Sequence, residues 1–319
     1  GVQLSLLLEQ LAYFANEFTR IGLSATAEPL DEIGRYLVGE RDCEIIKIQY
    51  TKQTDLNVEL PTKVIMGDNY EKNQDALYKK LHEHIQAHKS TLIFTNTRAA
   101  TEKIVHTLKE RNPECYYEIN ENPPFARSEL IGAHHSSLSK EHRSEVETKL
   151  RLGKLKCVVC SSSLELGLDI GFIDLVILLH SPKRVSSLLQ RIGRSGHKYS
   201  GIAKGRLFAQ SYTELEECTS LLLSAKAQQI DRIHIPKNPR DVLCQWIVAM
   251  CIVKSHTIND LFAVATKSFT YATLSKMQFL DCVEYMSENY PDLESQYVFA
   301  KLNRDGDTLS LQSKTVRLI

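Results

Sequence analysis

The sequence has no net charge: 39 Lys and Arg offset 39 Asp and Glu in a chain of 319 residues. Bulk charge therefore predicts no affinity for nucleic acid, and any such site must be local. The locally basic segment is Lys183 to Arg206, with Lys183, Arg184, Arg191, Arg194, Lys198, Lys204 and Arg206. No apolar run reaches about 18 residues, which excludes a helical membrane span. The N-terminus lacks the basic, apolar, small-residue order of a secretory signal. No G-x-x-x-x-G-K-[ST] occurs, so the chain carries no loop of that type to cradle nucleotide phosphates. The nearest run, Gly201-Ile-Ala-Lys-Gly205-Arg206, has the wrong spacing and no Lys-Ser or Lys-Thr.

Paired cysteines are also missing. The eight cysteines are scattered, which fits a reduced, cytosolic protein rather than a disulfide scaffold. One C-x-x-C exists, Cys157-Val-Val-Cys160. It falls in an expected strand, where i and i+3 point to opposite faces, so the sulfurs diverge. No second pair supplies further zinc ligands. The histidines lack ligand spacing as well, and His82, His84 and His88 are expected to face solvent. No metal site is expected.

The stretch from Cys157 to His197 is the most informative. A buried strand runs into Ser161-Ser162-Ser163, a second apolar run spans Leu175 to Leu179, and a short helix follows from Val185. On that helix Val185, Leu188, Leu189 and Ile192 fall on one side, and Gln190, Arg191 and Arg194 on the other. An arginine beside Gly193 and Gly196 at the end of a sheet suits a phosphate, because its planar fork fixes phosphate oxygens in one orientation. Further strands are expected at Leu92–Phe94, Leu130–Ala133 and Arg206–Ala209. Residues 40–66 read as linker plus strand around Ile45, Ile46, Ile48, Val64 and Ile65. Residues 1–18 read as a helix with Leu4, Leu8, Leu11, Ala12 and Ala15 on one face, and further helices are expected around 72–88, from Ser139 to Gly153 and over Thr213–Gln228. Residues 112–128, with three prolines, read as an irregular insertion. Strands alternating with helices predict a doubly wound parallel α/β domain. Composition shifts at Ile235-Pro-Lys-Asn-Pro239, read as a linker. Helices are expected at Asp241–Val253, Ile258–Thr266 and Tyr271–Glu288, then a hairpin turning at Asn303-Arg-Asp-Gly306. Trp246 is read as a packing residue.

Gln190-Arg-Ile-Gly-Arg-Ser-Gly-His197 resembles motif VI of superfamily 2 helicases, and Ser161-Ser-Ser-Leu-Glu-Leu-Gly-Leu-Asp169 resembles motif V. Leu23-Ser-Ala-Thr26 is similar to motif III, Thr91 to Arg98 to motif IV, and Ala133-His-His-Ser-Ser-Leu138 to the segment between IV and V. Five matches in family order are far more specific than one. The wording of motif V and the final Gly-His are most similar to the large helicase-related (Lhr) proteins. The resemblance covers residues 1 to about 285.

The resemblance implies three parts: the end of a first RecA-like domain and a linker (1–59), a second RecA-like domain (60–232), and a winged-helix-like domain (237–319). It implies ATP and Mg²⁺ as cofactors of the complete protein, single-stranded or partly duplex nucleic acid as partner, and a cytoplasmic or nucleoid-associated location with no membrane partner. The chain is expected to start between motifs II and III, with the remainder of a first RecA-like domain as its missing partner and the Mg²⁺ ligands absent. Arg194 is implied as the arginine finger, with Gln190 and Arg191 on the γ-phosphate side. Asp169 would accept a nucleotide-ribose hydrogen bond, with room left by Gly167. Thr95, Asn96, Arg98, Ser161, Ser162, Ser163 and His135 would hold the nucleic-acid backbone. Ser24 and Thr26 would couple ATP status to that grip. His197 stands where many family members have a second arginine. Asp31-Glu32-Ile33-Gly34 imitates the acidic metal-binding motif but follows Ser-Ala-Thr instead of preceding it, and reads as a surface helix turn. Two functions stay open: part of an ATP-driven helicase acting in repair or nucleic-acid processing, or a non-enzymatic nucleic-acid- or partner-binding module derived from one.

Overall fold

The computed structural model describes residues 1–15, 18–24, 26–47, 53–62, 70–119, 127–165, 170–196, 201–287 and 301–311. The chain forms two compact units, Ile48–Asp231 and a unit that joins Gly1–Lys47 to Arg232–Ile319. The chain opens with α1 (Val2–Phe14) and α2 (Leu30–Val38). The α/β unit then runs β1 (Thr54–Glu59), α3 (Tyr70–Ala87), β2 (Thr91–Phe94), α4 (Arg98–Arg111), α5 (Pro113–Tyr116), β3 (Tyr117–Ile119), β4 (Arg127–Glu129), β5 (Ile131–His134), α6 (Lys140–Arg151), β6 (Cys157–Cys160), β7 (Leu175–Leu179), α7 (Val185–Ile192), β8 (Ala203–Phe208) and α8 (Tyr212–Lys226).

Six strands form one sheet in the order β1-β8-β7-β2-β6-β5, and every pair is parallel. Three of the four inner strands read Thr-Leu-Ile-Phe, Cys-Val-Val-Cys and Leu-Val-Ile-Leu-Leu and are buried along their whole length. Such two-sided burial needs helices on both faces. One face packs Leu81 and Ile85 of α3 and Ile104 and Leu108 of α4. The other packs Val146 and Leu150 of α6, Leu188 and Ile192 of α7, and Cys218 and Leu222 of α8. Each fully buried aliphatic side chain here contributes roughly 1.5–3 kcal/mol. Cys157 belongs to the first core and Cys160 to the second, so the two sulfurs lie on opposite faces. Burial pushes both thiols well above their ordinary range.

The edge strand falls inside the expected segment 40–66, at Thr54–Glu59 and not at its isoleucines: Ile45 and Ile46 are exposed, and Ile48, Val64 and Ile65 lie outside the described residues. The strand is polar because it lies at the edge, and it is held by charge. Arg206 on β8 donates to the Asp55 carbonyl at 3.0 Å, pairs with the Asp55 carboxylate at 2.8 Å, and lies 3.4 Å from Glu59. A hydrogen bond from Arg206 holds the Asp55 carboxyl below its usual range despite some burial. His84 reaches Glu59 at 3.0 Å and His82 reaches the Tyr116 hydroxyl at 3.0 Å. These histidines, with His88, are half-buried partners of neighbouring groups, not solvent-facing ones. The stretch 112–128 is more ordered than expected: it holds the single turn α5 and the antiparallel ribbon β3–β4. The last strand of the sheet starts at Ala203, earlier than Arg206.

The second unit continues with α9 (Arg240–Val253), β9 (His256–Thr257), α10 (Ile258–Thr266), α11 (Lys276–Ser287), β10 (Leu302–Asp305) and β11 (Thr308–Leu311). The strands pair in the order β10-β11-β9, which gives three helices and a small antiparallel sheet. The hairpin turns at Gly306, whose φ of 59° suits a residue without a Cβ. Asn303 to Asp305 therefore lie in β10, not in the turn. Trp246 is buried with Leu243, Ile247, Met250 and Phe279. Residues 269–271 form a separate short turn, and the third helix starts at Lys276 rather than Tyr271. The expected buried face of α1 is corrected. Ser5, Leu6 and Glu9 are buried, whereas Leu4 and Leu11 are about half exposed. A buried glutamate on that face is tolerated because Arg20 pairs with it at 2.7 Å and Arg41 at 2.9 Å.

Candidate nucleotide and nucleic-acid interface

All six strands of the sheet run the same way, so their C-terminal ends meet at one edge. The chain leaves β2 for β5 on one side and later crosses β2 to reach β7 on the other. Crevices at such reversals hold ligands in open α/β sheets. β2 delivers Thr95, Asn96 and Arg98 to this edge, β5 delivers His134 and His135, and β6 delivers Ser161 to Ser163.

Asn96 and Arg98 are exposed there. The Arg98 guanidinium donates to Ser137 Oγ in the loop after β5, which holds the arginine across the strand ends. Thr95 is placed differently. It is buried, and its hydroxyl lies 2.8 Å from that of Thr101 and donates to the Thr97 carbonyl at 3.0 Å. It builds the turn that starts α4, and Thr97 caps that helix by accepting from Ala100 N–H at 3.1 Å. His135 is buried too, with Nε2 2.7 Å from Glu102. Of the three serines only Ser162 is exposed. The Ser161 amide donates to the His134 carbonyl at 3.3 Å, and the Ser163 hydroxyl lies 2.7 Å from His134 Nδ1.

The helix α7 carries the Gln-Arg-Ile-Gly-Arg run. Asp231 caps its start, accepting from the Ser186 amide at 2.8 Å and hydroxyl at 2.9 Å. Burial works to raise the Asp231 pKa, but these bonds prevail and hold it below the usual range. At its other end the chain turns through Gly196, with φ 67°, where a Cβ would lie 2.8 Å from the Ile202 carbonyl oxygen. Gly196 is thus required for backbone close approach.

The two arginines on this element have different surroundings. Arg191 is buried with the apolar face, not opposite it. Its guanidinium lies 5.2 Å above the Phe94 ring and pairs with Glu165 at 3.3 Å. The stem and the ring stacking make burial acceptable once Glu165 supplies the counter-charge. Arg194 is half-buried, and its Nη2 donates to the Glu165 backbone carbonyl at 3.1 Å. Gln190 is half-buried beside them. Asp169, Gly167 and His197 lie outside the described residues. In the other unit Ser24 is exposed and accepts from the Thr26 amide at 3.3 Å, a local turn bond. Glu165, Ser137, Asp231, Glu102 and Glu147 were not singled out in the sequence. Glu165 sits inside the stretch that resembles motif V, but Asp169 and Asp174 lie nearer to the two arginines in sequence, so nothing there singled it out. The others are separated in sequence from the groups they hold.

Among the described residues, no group of three or more His, Cys, Asp or Glu could hold a metal ion. Residues 72–198 match the helicase conserved C-terminal domain. Residues 224–318 match the winged helix domain of large helicase-related protein. The ATP-dependent helicase Lhr-Core of Methanothermobacter thermautotrophicus is 46% identical over 312 residues, 96% of this chain and 35% of that protein. Lhr-Core of Saccharolobus solfataricus is 41% identical over 322 residues, 100% of this chain and 36% of that protein. The helicase Lhr of Mycobacterium smegmatis, solved bound to ssDNA and AMP-PNP, matches with a TM-score of 0.88 and 33% identity, over 99% of this chain and 40% of that one.

The chain is most similar to the Lhr helicases. It spans roughly a third of the length of the Lhr-Core relatives it matches. Its sheet is the RecA-like helicase C-terminal fold, and its three helices and small sheet are the Lhr winged helix. The strand-end residues and α7 lie within the helicase C-terminal domain match. The runs that resemble motif V and motif VI meet physically through Glu165, whose carboxylate holds Arg191 and whose carbonyl holds Arg194.

Proposed function

We propose that this chain supplies the second RecA-like domain and winged helix of an ATP-dependent nucleic-acid helicase or translocase, with DNA as the substrate, in repair or processing. The carrying observation is Arg194, half-buried at the end of α7 and held at 3.1 Å by the Glu165 carbonyl beside motif V. A guanidinium so placed can stabilise charge on a γ-phosphoryl group presented from outside this domain. Support for DNA comes from the relatives: the M. smegmatis helicase was solved with ssDNA. ATP, when bound, supplies the phosphoryl group whose transfer drives movement. Gln190 would orient on the same side. The complete protein would also use Mg²⁺, for which the described residues offer no ligand cluster. Asp169 and Gly167 would receive the nucleotide ribose, and Ser24 and Thr26 would couple nucleotide state to grip.

Residues 1–59 are proposed to be the end of a first RecA-like domain and a linker, of which Thr54–Glu59 pairs into the six-stranded sheet. In support, Leu4, Leu7, Leu11, Ile21, Leu23 and Ile46 expose 42–95% of their surface, more apolar area than a solvated segment ordinarily shows. The protein would work in the cytoplasm or at the nucleoid.

The first test is turnover. This chain alone should show no ATPase activity above background, because its sequence holds no phosphate cradle. A phosphate-release assay with single-stranded DNA measures this, and clear stimulated turnover would overturn the division of labour proposed here.

The second test is grip. The chain should bind single strands weakly and without sequence preference, through Asn96, Arg98, Ser162 and the amides of the serine turn. Few phosphates are neutralised, so log affinity should fall with log salt by only about 0.7 per phosphate. Arg98→Ala should weaken binding to all sequences alike. Fluorescence anisotropy over a salt series reads both. A strong sequence preference, or no loss with Arg98→Ala, would instead point to the winged helix as the reader.

A further inference from the structure

The His134 imidazole bridges three elements at the strand edge. Its Nδ1 lies 2.7 Å from Ser163 Oγ in the motif V turn, and its Nε2 lies 2.9 Å from Glu147 Oε1 on α6. The Ser163 hydroxyl also lies 2.9 Å from the carbonyl of His134 itself. The histidine is 1% exposed. Ser163 is thus turned inward, and its hydroxyl is engaged before any phosphate arrives.

We propose that His134 is a positioning residue: through Ser163 it fixes the turn Ser161–Leu164 against the end of β5, and its protonation sets how firmly that turn holds a phosphate backbone. The proposal rests on the reading that this edge faces nucleic acid.

The hydrogen-bond bookkeeping follows from the groups. A carboxylate only accepts, so the proton on Nε2 goes to Glu147. In the neutral ring Nδ1 is then an acceptor and takes the Ser163 O–H. In the imidazolium Nδ1 donates to Ser163 Oγ, and the hydroxyl proton turns to the His134 carbonyl. Both states are satisfied without moving a heavy atom. Only the direction of the hydroxyl and the charge beneath the turn change.

The groups facing the ring are Glu147 and Arg143 from α6, Cys160 beside it on β6, and His135 just past the end of β5, itself bonded to Glu102 of α4. Burial is the largest influence and lowers the imidazole pKa, while Glu147 acts to raise it. The ring is therefore neutral at pH 7 and gains its proton only below the usual histidine range. Protonation adds positive charge under the phosphate-facing turn, so binding should tighten as pH falls through that step.

Two measurements on the whole chain test this. Long-range ¹H–¹⁵N spectra of the free protein report the tautomer and titration of His134. The Nε2–H tautomer is expected at neutral pH, and Glu147→Gln should move the titration to lower pH, since the carboxylate that favours the imidazolium is gone. Anisotropy with labelled oligodeoxythymidine, repeated over pH, reads the grip. Ser163→Ala and His134→Gln should each weaken binding about fivefold, the scale of one lost hydrogen bond, and the double variant should lose little more than either. The acid-side step should vanish in His134→Gln and shift down in Glu147→Gln. A Nδ1–H tautomer, an unmoved titration in Glu147→Gln, or additive losses in the double variant would overturn the proposal. Absence of oligonucleotide binding by the unaltered chain would overturn the reading of the edge, and with it the functional role of His134, whatever the spectra show.

Discussion

Arg194→Ala should lower ATP turnover of the complete protein by roughly 10³-fold or more, the range over which arginine fingers act. The residue lies past the last turn of α7 and is half-buried, outside the apolar core. Its loss removes charge stabilisation from the transition state without opening a cavity. Binding of ATP should suffer less, because most phosphate contacts would come from the other RecA-like domain. Arg194→Lys should recover little, since an ammonium lacks the planar fork that meets phosphate oxygens in a fixed orientation. The measurement is kcat and KM from phosphate release, with far-ultraviolet circular dichroism to confirm the fold. Near-normal kcat in Arg194→Ala would remove the residue from the chemistry.

The α/β core was legible because its signals are local. Leu92–Phe94, Cys157–Cys160 and Leu175–Leu179 are short apolar runs bounded by turn residues, and all three are strands. Ser139 announced α6 as its cap, accepting from His142 N–H at 3.2 Å. The edge strand β1 lies within 40–66 as expected but was bounded only loosely, because an edge needs little apolar surface. Its order comes from Arg206, 151 positions from Asp55, and no window of sequence contains both. The same holds for the ribbon in 112–128, where pairing of Tyr117 with Glu129 decides the structure.

The candidate site was legible at the level of motifs and not of side-chain direction. Periodicity placed Arg191 on the polar face of α7, yet Phe94 and Glu165 take it inside. Thr95 and Ser163 lie at the C-terminal ends of strands, but neighbouring carbonyls and rings capture their hydroxyls. Short hydroxyl side chains at strand ends commonly bond their own backbone, and only three-dimensional neighbours tell which ones remain free.

Glu165→Ala should destabilise the α/β unit by about 3 kcal/mol, because it leaves the Arg191 guanidinium buried without its counter-charge. The two side chains are only 13% and 10% exposed, so solvent cannot replace the carboxylate in place. The ring of Phe94 retains part of the interaction, which sets the expectation at the lower end of the usual range. For a unit of this size each kcal/mol moves Tm by roughly 2–4 °C, so a drop of about 6–12 °C is expected. Glu165→Gln keeps an acceptor oxygen and should lose less. Arg191→Met combined with Glu165→Ala removes both charges and fills similar volume, and should be more stable than Glu165→Ala alone. Thermal unfolding of the three variants gives the comparison. If Glu165→Ala melts with the parent, the ion pair does not hold motif V to motif VI. If the double variant melts lowest, the loss is one of packing and not of an unpaired charge. The Arg194 bond to the Glu165 carbonyl survives all three changes, since its donor is Arg194 Nη2 and its acceptor at position 165 is the backbone carbonyl. Loss of turnover in a folded Glu165→Gln would therefore report on Arg191 and not on displacement of Arg194.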